Sequence, residues 1–379
     1  MTAIRIRDLR YDEADLAANF FHEQWRRDHV FYRNRELMLW AFHDSPYTKL
    51  FCDGLSFKAA FDSDTVVGVC GYTPLAFNRY GERQYGCYLS NWWVHPDYRR
   101  GPLSMGLIYQ IQRGTGIDAC IGGLMTPVAE RVWRELGYAV LPLMPRLVCV
   151  LDVQQLAGLL DPGAGGCLGA VEERLQAQRR SQALKVDPSI EVTDLRSFDS
   201  LGQHNWDDFY WHRVAFSHLG PARETNYLVW RYQGMPGFHY EALLARRQGA
   251  VCGLVIYRRE AVKDRREIVV RIVDLVAERE AVPSLMSATI ERAANCGAVM
   301  IDYFYTGSLY QSVLESCGFI DARDVGGDRY WVPFLFQPLD HCRRPFNCWW
   351  WVKGLDLQSP TLLSDFYMTK GDYEFDRPN

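Results

Sequence analysis

The feature that most constrains the fold of this chain is an internal repeat. Trp40, Phe42 and Pro46 (WAFHDSP) are followed by an alternating apolar segment around Gly68, a strand-like run ending at Val94, and the pair Gly137 and Tyr138. Later, Trp230, Tyr232 and Pro236 (WRYQGMP) are followed by Gly253, a run through Val276, and Gly318 with Phe319. Proline to glycine is 22 positions in the first set and 17 in the second, glycine to valine 26 and 23, and valine to the next glycine 43 and 42. Four landmarks in one order at near-equal spacing mean two copies of one domain. At roughly 100–200 residues per domain, 379 residues hold two. The run 161–169 (DPGAGGCLG) is dense in Gly and Pro without apolar periodicity, and a polar, helix-prone stretch at 172–185 follows it. The expected division is 1–160 for the first domain, 161–189 for a linker with a helix, and 190–379 for the second domain.

Each copy reads as strands interleaved with helices. In the first, alternation predicts strands at 4–9, 55–61, 65–75, 85–94 and 119–124, with Ser63 and Asp64 in a hairpin turn, and a final strand region at 139–151. Helical spacing predicts helices at 11–27, 103–112 and 127–136. The second copy repeats the order, with strands at 241–245, 251–257, 268–277 and 299–303 and helices at 283–295 and 309–316. The fold class is therefore α/β, a mixed sheet with helices on its faces in each of two tandem domains. Trp349, Trp350 and Trp351 read as a core strand, two rings facing one way and one the other.

Composition excludes several functions. Lys and Arg total 42 against 46 for Asp and Glu, so no global charge draws the chain to nucleic acid or an anionic membrane. The longest stretch without Asp, Glu, Lys or Arg is 14 residues, 65–78, short of the ~18 of a spanning helix. With Arg5, Arg7, Asp8 and Arg10 near the start there is no signal-peptide pattern, and the expected location is the cytoplasm. Eleven scattered cysteines without a C-x-x-C pair read as reduced core residues, and His341, Cys342 and Cys348 lack the paired spacing of a zinc site, so no metal is expected. At 14% aromatic, the chain has rings to spare for a pocket that stacks flat ligands.

The chemistry concentrates in 89–107, LSNWWVHPDYRRGPLSMGL. A strand ends at Val94, Pro96 breaks it, Arg99, Arg100 and Gly101 follow, and a helix begins. Free backbone N–H groups and the positive end of a helix dipole then lie beside two guanidiniums, an arrangement suited to a pyrophosphate. This stretch resembles the acyl-CoA-binding motif of the GNAT acyltransferase superfamily, Val-x-Pro-x-x-Arg-x-x-Gly-x-Gly/Ala, with Val94, Pro96 and Arg99 in register. Pro102 and Ser104 occupy the two small positions. Pro102 has no N–H to give, so the resemblance implies a lost contact or a loop in which Gly101, Leu103, Ser104, Met105 and Gly106 supply the donors. Trp93 is expected against the pantetheine channel. Trp133, Leu136, Gly137 and Tyr138 (WRELGY) resemble the superfamily's late helix ending in Leu-Gly-Phe. The second copy has Glu278, Arg279 and Glu280 where the Arg-x-x-Gly run stands, and two glutamates repel a pyrophosphate, so one acyl-CoA per chain is expected, in the first domain.

Acyl transfer to an amine needs a base, a donor to the thioester oxygen and an acid for the leaving thiolate. The superfamily's usual carboxylate and tyrosine positions hold Ser90 or Asn91 and Trp133 here. His29, with an unperturbed pKa of ~6.5, is the candidate base, and Asn91 the candidate donor to the carbonyl. Asp274, Asp302, Tyr303 and Tyr305 are candidate acceptor-binding residues of the second copy. The opening Trp25, His29, Val30 and Phe31, the WAFHDSP and WRYQGMP pair and the ending 369–378 (TKGDYEFDRP) resemble tandem N-acyltransferases that act on nucleotide-linked amino sugars for polysaccharide synthesis. The implied partner is a small-molecule amine, neither nucleic acid nor membrane. Two other readings stay open: a catalytically silent tandem module that binds a ligand, and an acyltransferase acting on an amino acid or a thiol metabolite, of the mycothiol synthase type.

Overall fold

The structure is a computed structural model that describes residues 4–114, 116–160, 185–323, 330–332, 346–357, 359–372 and 376. The expected linker at 161–169, the helix-prone stretch up to residue 184, His341, Cys342 and most of 373–379 lie outside these residues. The fold is mixed α/β with two mixed sheets. The first runs β1 (Arg5–Asp8), β2 (Phe57–Asp62), β3 (Thr65–Arg79), β4 (Glu82–Val94), β5 (Ala119–Gly123), β15 (Cys348–Val352), β6 (Ala139–Leu141), with β9 (Leu219–Pro221) also paired to β3. The second runs β14 (Ile320–Asp321), β7 (Arg146–Val150), β13 (Ala298–Phe304), β12 (Ile268–Ala277), β11 (Ala250–Ala261), β10 (Glu241–Arg247), β8 (Ile190–Asp194).

The long hairpins turn where the sequence tolerates positive φ. Tyr80 and Gly81 have φ of 52° and 89°, and Gln248 and Gly249 have 52° and 83°, the two-residue geometry that matches strand twist. Gly68 and Gly253 are required by close approach instead. A Cβ on Gly68 would lie 3.2 Å from the Val94 side chain and 3.4 Å from Leu107, and one on Gly253 would lie 2.7 Å from Ala277 and 3.0 Å from Leu285. Each glycine thus lets a helix cross its sheet at the end of the next strand. Register pairs Gly68 with Val94 but Gly253 with Ala277, so the second copy's landmark is Ala277, one residue beyond Val276.

The expected strand region at 139–151 is not one strand. Pro142 and Pro145 cannot donate to a ladder, and the chain leaves the first sheet after β6 and enters the second as β7, between β13 and β14. The reciprocal occurs at the other end of the sequence, where β15 from the second half lies between β5 and β6 of the first sheet. Sequence boundaries near residue 160 therefore do not coincide with sheet boundaries.

The two halves meet through a reciprocal contact of their tryptophan landmarks. Trp40 Nε1 donates to the Trp230 carbonyl at 3.0 Å, Trp230 Nε1 donates to the Trp40 carbonyl at 3.1 Å, and the rings stack with centroids 4.7 Å apart. Such mutual contact is what a symmetric pairing of like surfaces produces. The inner faces of both sheets share one core, with Phe57, Phe77, Tyr88 and Trp350 from the first and Leu254, Ile256, Val273 and Phe304 from the second. On the outer face of the first sheet lie α1 (Leu103–Gly114) and α2 (Pro127–Glu135), over Cys70, Leu89 and Trp349. The helices Val282–Asn295 and Gln311–Ser316 cover the second. Trp349 and Trp350 alternate between faces as the sequence predicts.

Candidate active site

In the first sheet β4 and β5 run parallel but pair only at Gly86 with Ala119, Cys87 with Cys120, and Tyr88 with Ile121. Beyond Tyr88 the strands part, β4 continuing to Val94 while β5 stays paired with β15. A bulge accompanies the parting: Gly71 faces Ser90 and Val69 faces Trp93, leaving Asn91 and Trp92 opposite Cys70. Asn91 sits in the left-handed region at φ 52°, which Asn tolerates better than most residues, and donates from Nδ2 to Ser90 Oγ at 3.0 Å. It is 5% exposed.

The bulge sends the two tryptophans apart. Trp92 Nε1 donates to the Ser104 carbonyl, and its ring packs 5.3 Å from Trp133. Trp133 is buried and stacked on Trp349, so the position where the superfamily pattern has a tyrosine is filled by core. Trp93 stacks on Trp25 at 5.1 Å and 6°, with the Arg99 guanidinium 4.5 Å from its ring centroid.

After Val94 a short turn over Pro96–Tyr98 leads to the arginines. Arg99 Nε donates to the Val94 carbonyl at 2.8 Å, and neither Arg99 nor Arg100, both exposed, forms an ion pair among the described residues. Of the five expected donors two are engaged, since Gly101 N–H reaches the Tyr98 carbonyl at 3.4 Å and Gly106 N–H the Pro102 carbonyl at 2.8 Å. The amides of Leu103, Ser104 and Met105, in the first turn of α1, meet no acceptor among the described residues. Three amides and two guanidiniums thus remain for an anion.

The equivalent gap in the second sheet is filled. β12 and β13 pair from Ile268 with Ala298 to Ile272 with Tyr303 and then part. Tyr367 Oη donates to the Leu275 carbonyl at 2.5 Å and meets Tyr303 Oη at 2.5 Å, while Tyr310 Oη donates to the Ala277 carbonyl and accepts from its N–H, both at 3.0 Å. The strand edge left open at Leu89–Val94 is here occupied by tyrosines.

The remaining site residues read from sequence are buried, and His29 reaches the β4 edge only through Trp25, whose ring lies 5.2 Å from it and stacks on Trp93. His29 is 5% exposed, its Nδ1 accepts from Phe31 N–H, and its ring stacks on Phe21 at 4.5 Å. In this structure it caps the short helix Val30–Arg33 inside an aromatic cluster. Asp274, Asp302, Tyr303 and Tyr305 are all interior, at most 1% exposed. Asp274 accepts from Arg223 Nε at 2.6 Å and Tyr232 Oη at 3.0 Å; burial pushes its carboxyl up to about 6, against the opposing pull of Arg223. Asp302 accepts from Arg271 at 2.9 and 2.7 Å and from Arg146 at 2.7 Å. Burial alone would raise its carboxyl, but the two guanidiniums hold it well below the usual carboxylate range.

Sequence reasoning missed a concavity among the described residues. A cleft of about 670 Å³ lies between the halves, away from the arginine turn, lined by Asp44, Pro46, Asp199, Asp207, Glu224, Thr225, Asn226, Val229 and Trp230. Glu224 is neutralised by Arg83 at 2.6 Å and accepts from Tyr47 Oη at 2.7 Å. Asp199 and Asp207 have no arginine or lysine partner among the described residues, and Asp44 meets only His43. Trp230 also lines a second cavity of about 30 Å³ with Trp40, Thr73 and Tyr88, the last paired residue of β4. The signal was available: Asp44 and Pro46 belong to WAFHDSP and Trp230 to WRYQGMP.

No group of three or more His, Cys, Asp or Glu among the described residues is placed to hold a metal, and no described helix is long and apolar enough to cross a membrane. No protein-family model and no curated protein matches the sequence. Solved structures do match. One is a conserved protein of unknown function from Enterococcus faecalis described as a probable N-acyltransferase, with TM-score 0.56 and 14% identity over 96% of this chain and 75% of that one. Another is a GCN5-related N-acetyltransferase from Anabaena variabilis, with TM-score 0.51 and 14% identity over 80% of this chain and 66% of that one. At this identity the likeness is one of fold, that of two GNAT-like domains.

Proposed function

We propose that the protein is an acyl-CoA-dependent N-acyltransferase with one donor site per chain, in the first sheet, and an acceptor site in the cleft between the halves. The observation that carries this reading is the contrast between the sheets. Among the described residues the β4 edge is open and ends at three amides without an acceptor and two guanidiniums without an ion pair, whereas the matching edge of β12 is plugged by tyrosines. Leu103, Ser104, Met105, Arg99 and Arg100 would hold the pyrophosphate, and the strand edge 89–94 would hold the pantetheine amides as a neighbouring strand would. The GNAT-like fold of the neighbours supports the same class of chemistry.

The cleft favours a cationic acceptor. Asp44, Asp199 and Asp207 attract an ammonium and repel a phosphate, and low-dielectric walls strengthen both effects. The second reading, a nucleotide-linked amino sugar, is favoured by the fact that WAFHDSP and WRYQGMP both line the cleft, but its diphosphate would face the same carboxylates. Calorimetric titration with CoA, followed by thiol release from acetyl-CoA across polyamines, amino sugars, nucleotide-linked amino sugars, amino acids and thiols, tests the proposal. One CoA per chain and turnover with an amine are expected. No CoA binding, or two sites, refutes the donor assignment, and binding without turnover on any acceptor favours a silent binding module.

A further inference from the structure

We propose that Trp349, contributed by the second half of the chain, sets the length of the acyl group carried at the first sheet and limits it to acetyl and propionyl; the inference rests on the acyl-CoA reading above. Tyr88 and Ile121 are the last pair before β4 and β5 part, so the next residues, Leu89 and Gly122, flank the apex of the gap. From Val94 back to Leu89 is about 16 Å of strand at ~3.3 Å per residue, comparable to an extended pantetheine arm. A donor anchored by phosphate at the Arg99 turn and lying along the open edge of β4 therefore brings its thioester to the apex, where the acyl group has to find room. It cannot continue between the strands, which are closed by the pairs of Tyr88 with Ile121, Cys87 with Cys120 and Gly86 with Ala119. On the inner face stand Tyr88 and Ile121, buried in the core that the two sheets share. The outer face remains, and there Gly122 has no side chain of its own.

The space that a side chain at position 122 would take is filled from the neighbouring strand. Trp349 of β15 is the register partner of Gly122, and a Cβ on Gly122 would lie 2.6 Å from Trp349 Cε2. The indole is held in that place. Trp133 stacks on it with centroids 4.2 Å apart, Tyr138 meets it edge-on at 5.4 Å, and Trp92 packs 5.3 Å from Trp133. Leu89, on the other side of the apex, is buried in the same outer cluster as Trp349. An acyl chain that turns to this face meets an aromatic wall directly beyond its carbonyl, and each further methylene has to displace closely packed atoms.

The test compares affinities within one protein, a ratio that a general loss of stability does not move. Calorimetry without acceptor measures binding of CoA, acetyl-CoA, butyryl-CoA and octanoyl-CoA. Wild-type protein should hold CoA and acetyl-CoA within about threefold of each other and octanoyl-CoA at least about tenfold more weakly, the scale of discrimination when methylenes have no room. Trp349→Leu should bring octanoyl-CoA within about threefold of acetyl-CoA while keeping CoA affinity within about threefold of wild type. Wild-type protein that binds octanoyl-CoA as tightly as acetyl-CoA, or a folded Trp349→Leu that keeps the full discrimination, overturns the inference and leaves the donor site standing. Wild-type protein that binds none of the four overturns the donor site as well. If Trp349→Leu does not fold, Trp349→Phe, which keeps a ring against Trp133, must raise the affinity for butyryl-CoA relative to acetyl-CoA by about fivefold or more; an unchanged ratio again overturns the inference.

Discussion

Replacing Asp302 by Asn separates a structural carboxylate from a substrate-binding one. Asp302 lies on β13 and joins Arg271 of β12 to Arg146 of β7, the strand contributed by the first half of the chain. All three side chains are at most 1% exposed. Asp302→Asn keeps the shape but turns an amide N–H₂ toward guanidinium donors and removes the carboxylate charge that faces two buried guanidiniums. Breaking a buried pair by removing one partner costs about 3–5 kcal/mol, out of a total of about 5–15 kcal/mol for a typical protein. Urea unfolding followed by far-ultraviolet dichroism and tryptophan fluorescence should register that loss. The triple substitution Arg146→Met, Asp302→Leu and Arg271→Met, which removes all three charges together, should recover most of it. CoA affinity of the folded fraction of Asp302→Asn should stay within about twofold of wild type. The reasoning fails if Asp302→Asn loses less than about 1 kcal/mol while the acceptor KM rises more than about tenfold. Asp302 would then contact the acceptor, as the sequence suggests.

Arg100 is exposed and forms no ion pair or side-chain hydrogen bond among the described residues, so Arg100→Ala should weaken CoA binding by about tenfold, the worth of one bond to a charged phosphate, without changing the unfolding free energy. Arg99→Ala should cost more, because Arg99 also braces the Val94 carbonyl and covers Trp93; an unchanged CoA affinity in the folded double variant refutes the pyrophosphate assignment. His218 is 1% exposed, and burial, aided by the Arg223 guanidinium, pushes its imidazole down to about 3. Its folded pKa lies below the unfolded ~6.5, so the unfolded chain takes the proton first, and stability present above pH 6.5 is lost as pH falls toward 3. At pH 5.5 the loss is about 1.4 kcal/mol relative to pH 7.5, and urea midpoints of His218→Gln should lack it; parallel pH dependence in wild type and variant contradicts this account.

Most of the fold is legible in the sequence because it rests on local signals. Alternation, helical spacing and turn residues place the strands and helices of both copies, and the Trp40 and Trp230 landmarks prove to be contact partners. What no local signal reveals is partner choice. Residues 146–150 and 348–352 are buried apolar strands by any pattern, yet which sheet each joins depends on a partner more than a hundred residues away. The site divides the same way. The Arg99 turn follows from Pro96, Gly101 and the strand end, whereas the bulge at Asn91 and the burial of Asp274, Asp302, Tyr303 and Tyr305 depend on strand pairing and on Arg146, Arg223, Arg271 and Tyr367, which only the tertiary fold brings to them. The carboxylates of the acidic cleft are unremarkable singly and gain meaning only when the two halves meet.

The exchange of β7 and β15 sets an order on the making of the protein. A ribosome that has released the first 160 residues has released a first sheet with a gap between β5 and β6, and a β7 whose neighbours do not yet exist. The second sheet can close once residue 321 is out, but the first, which carries the open edge of β4, waits for residue 352. The half of the chain that is translated first is thus the half that finishes last, and a nascent chain stalled before β15 presents the donor edge on an incomplete sheet.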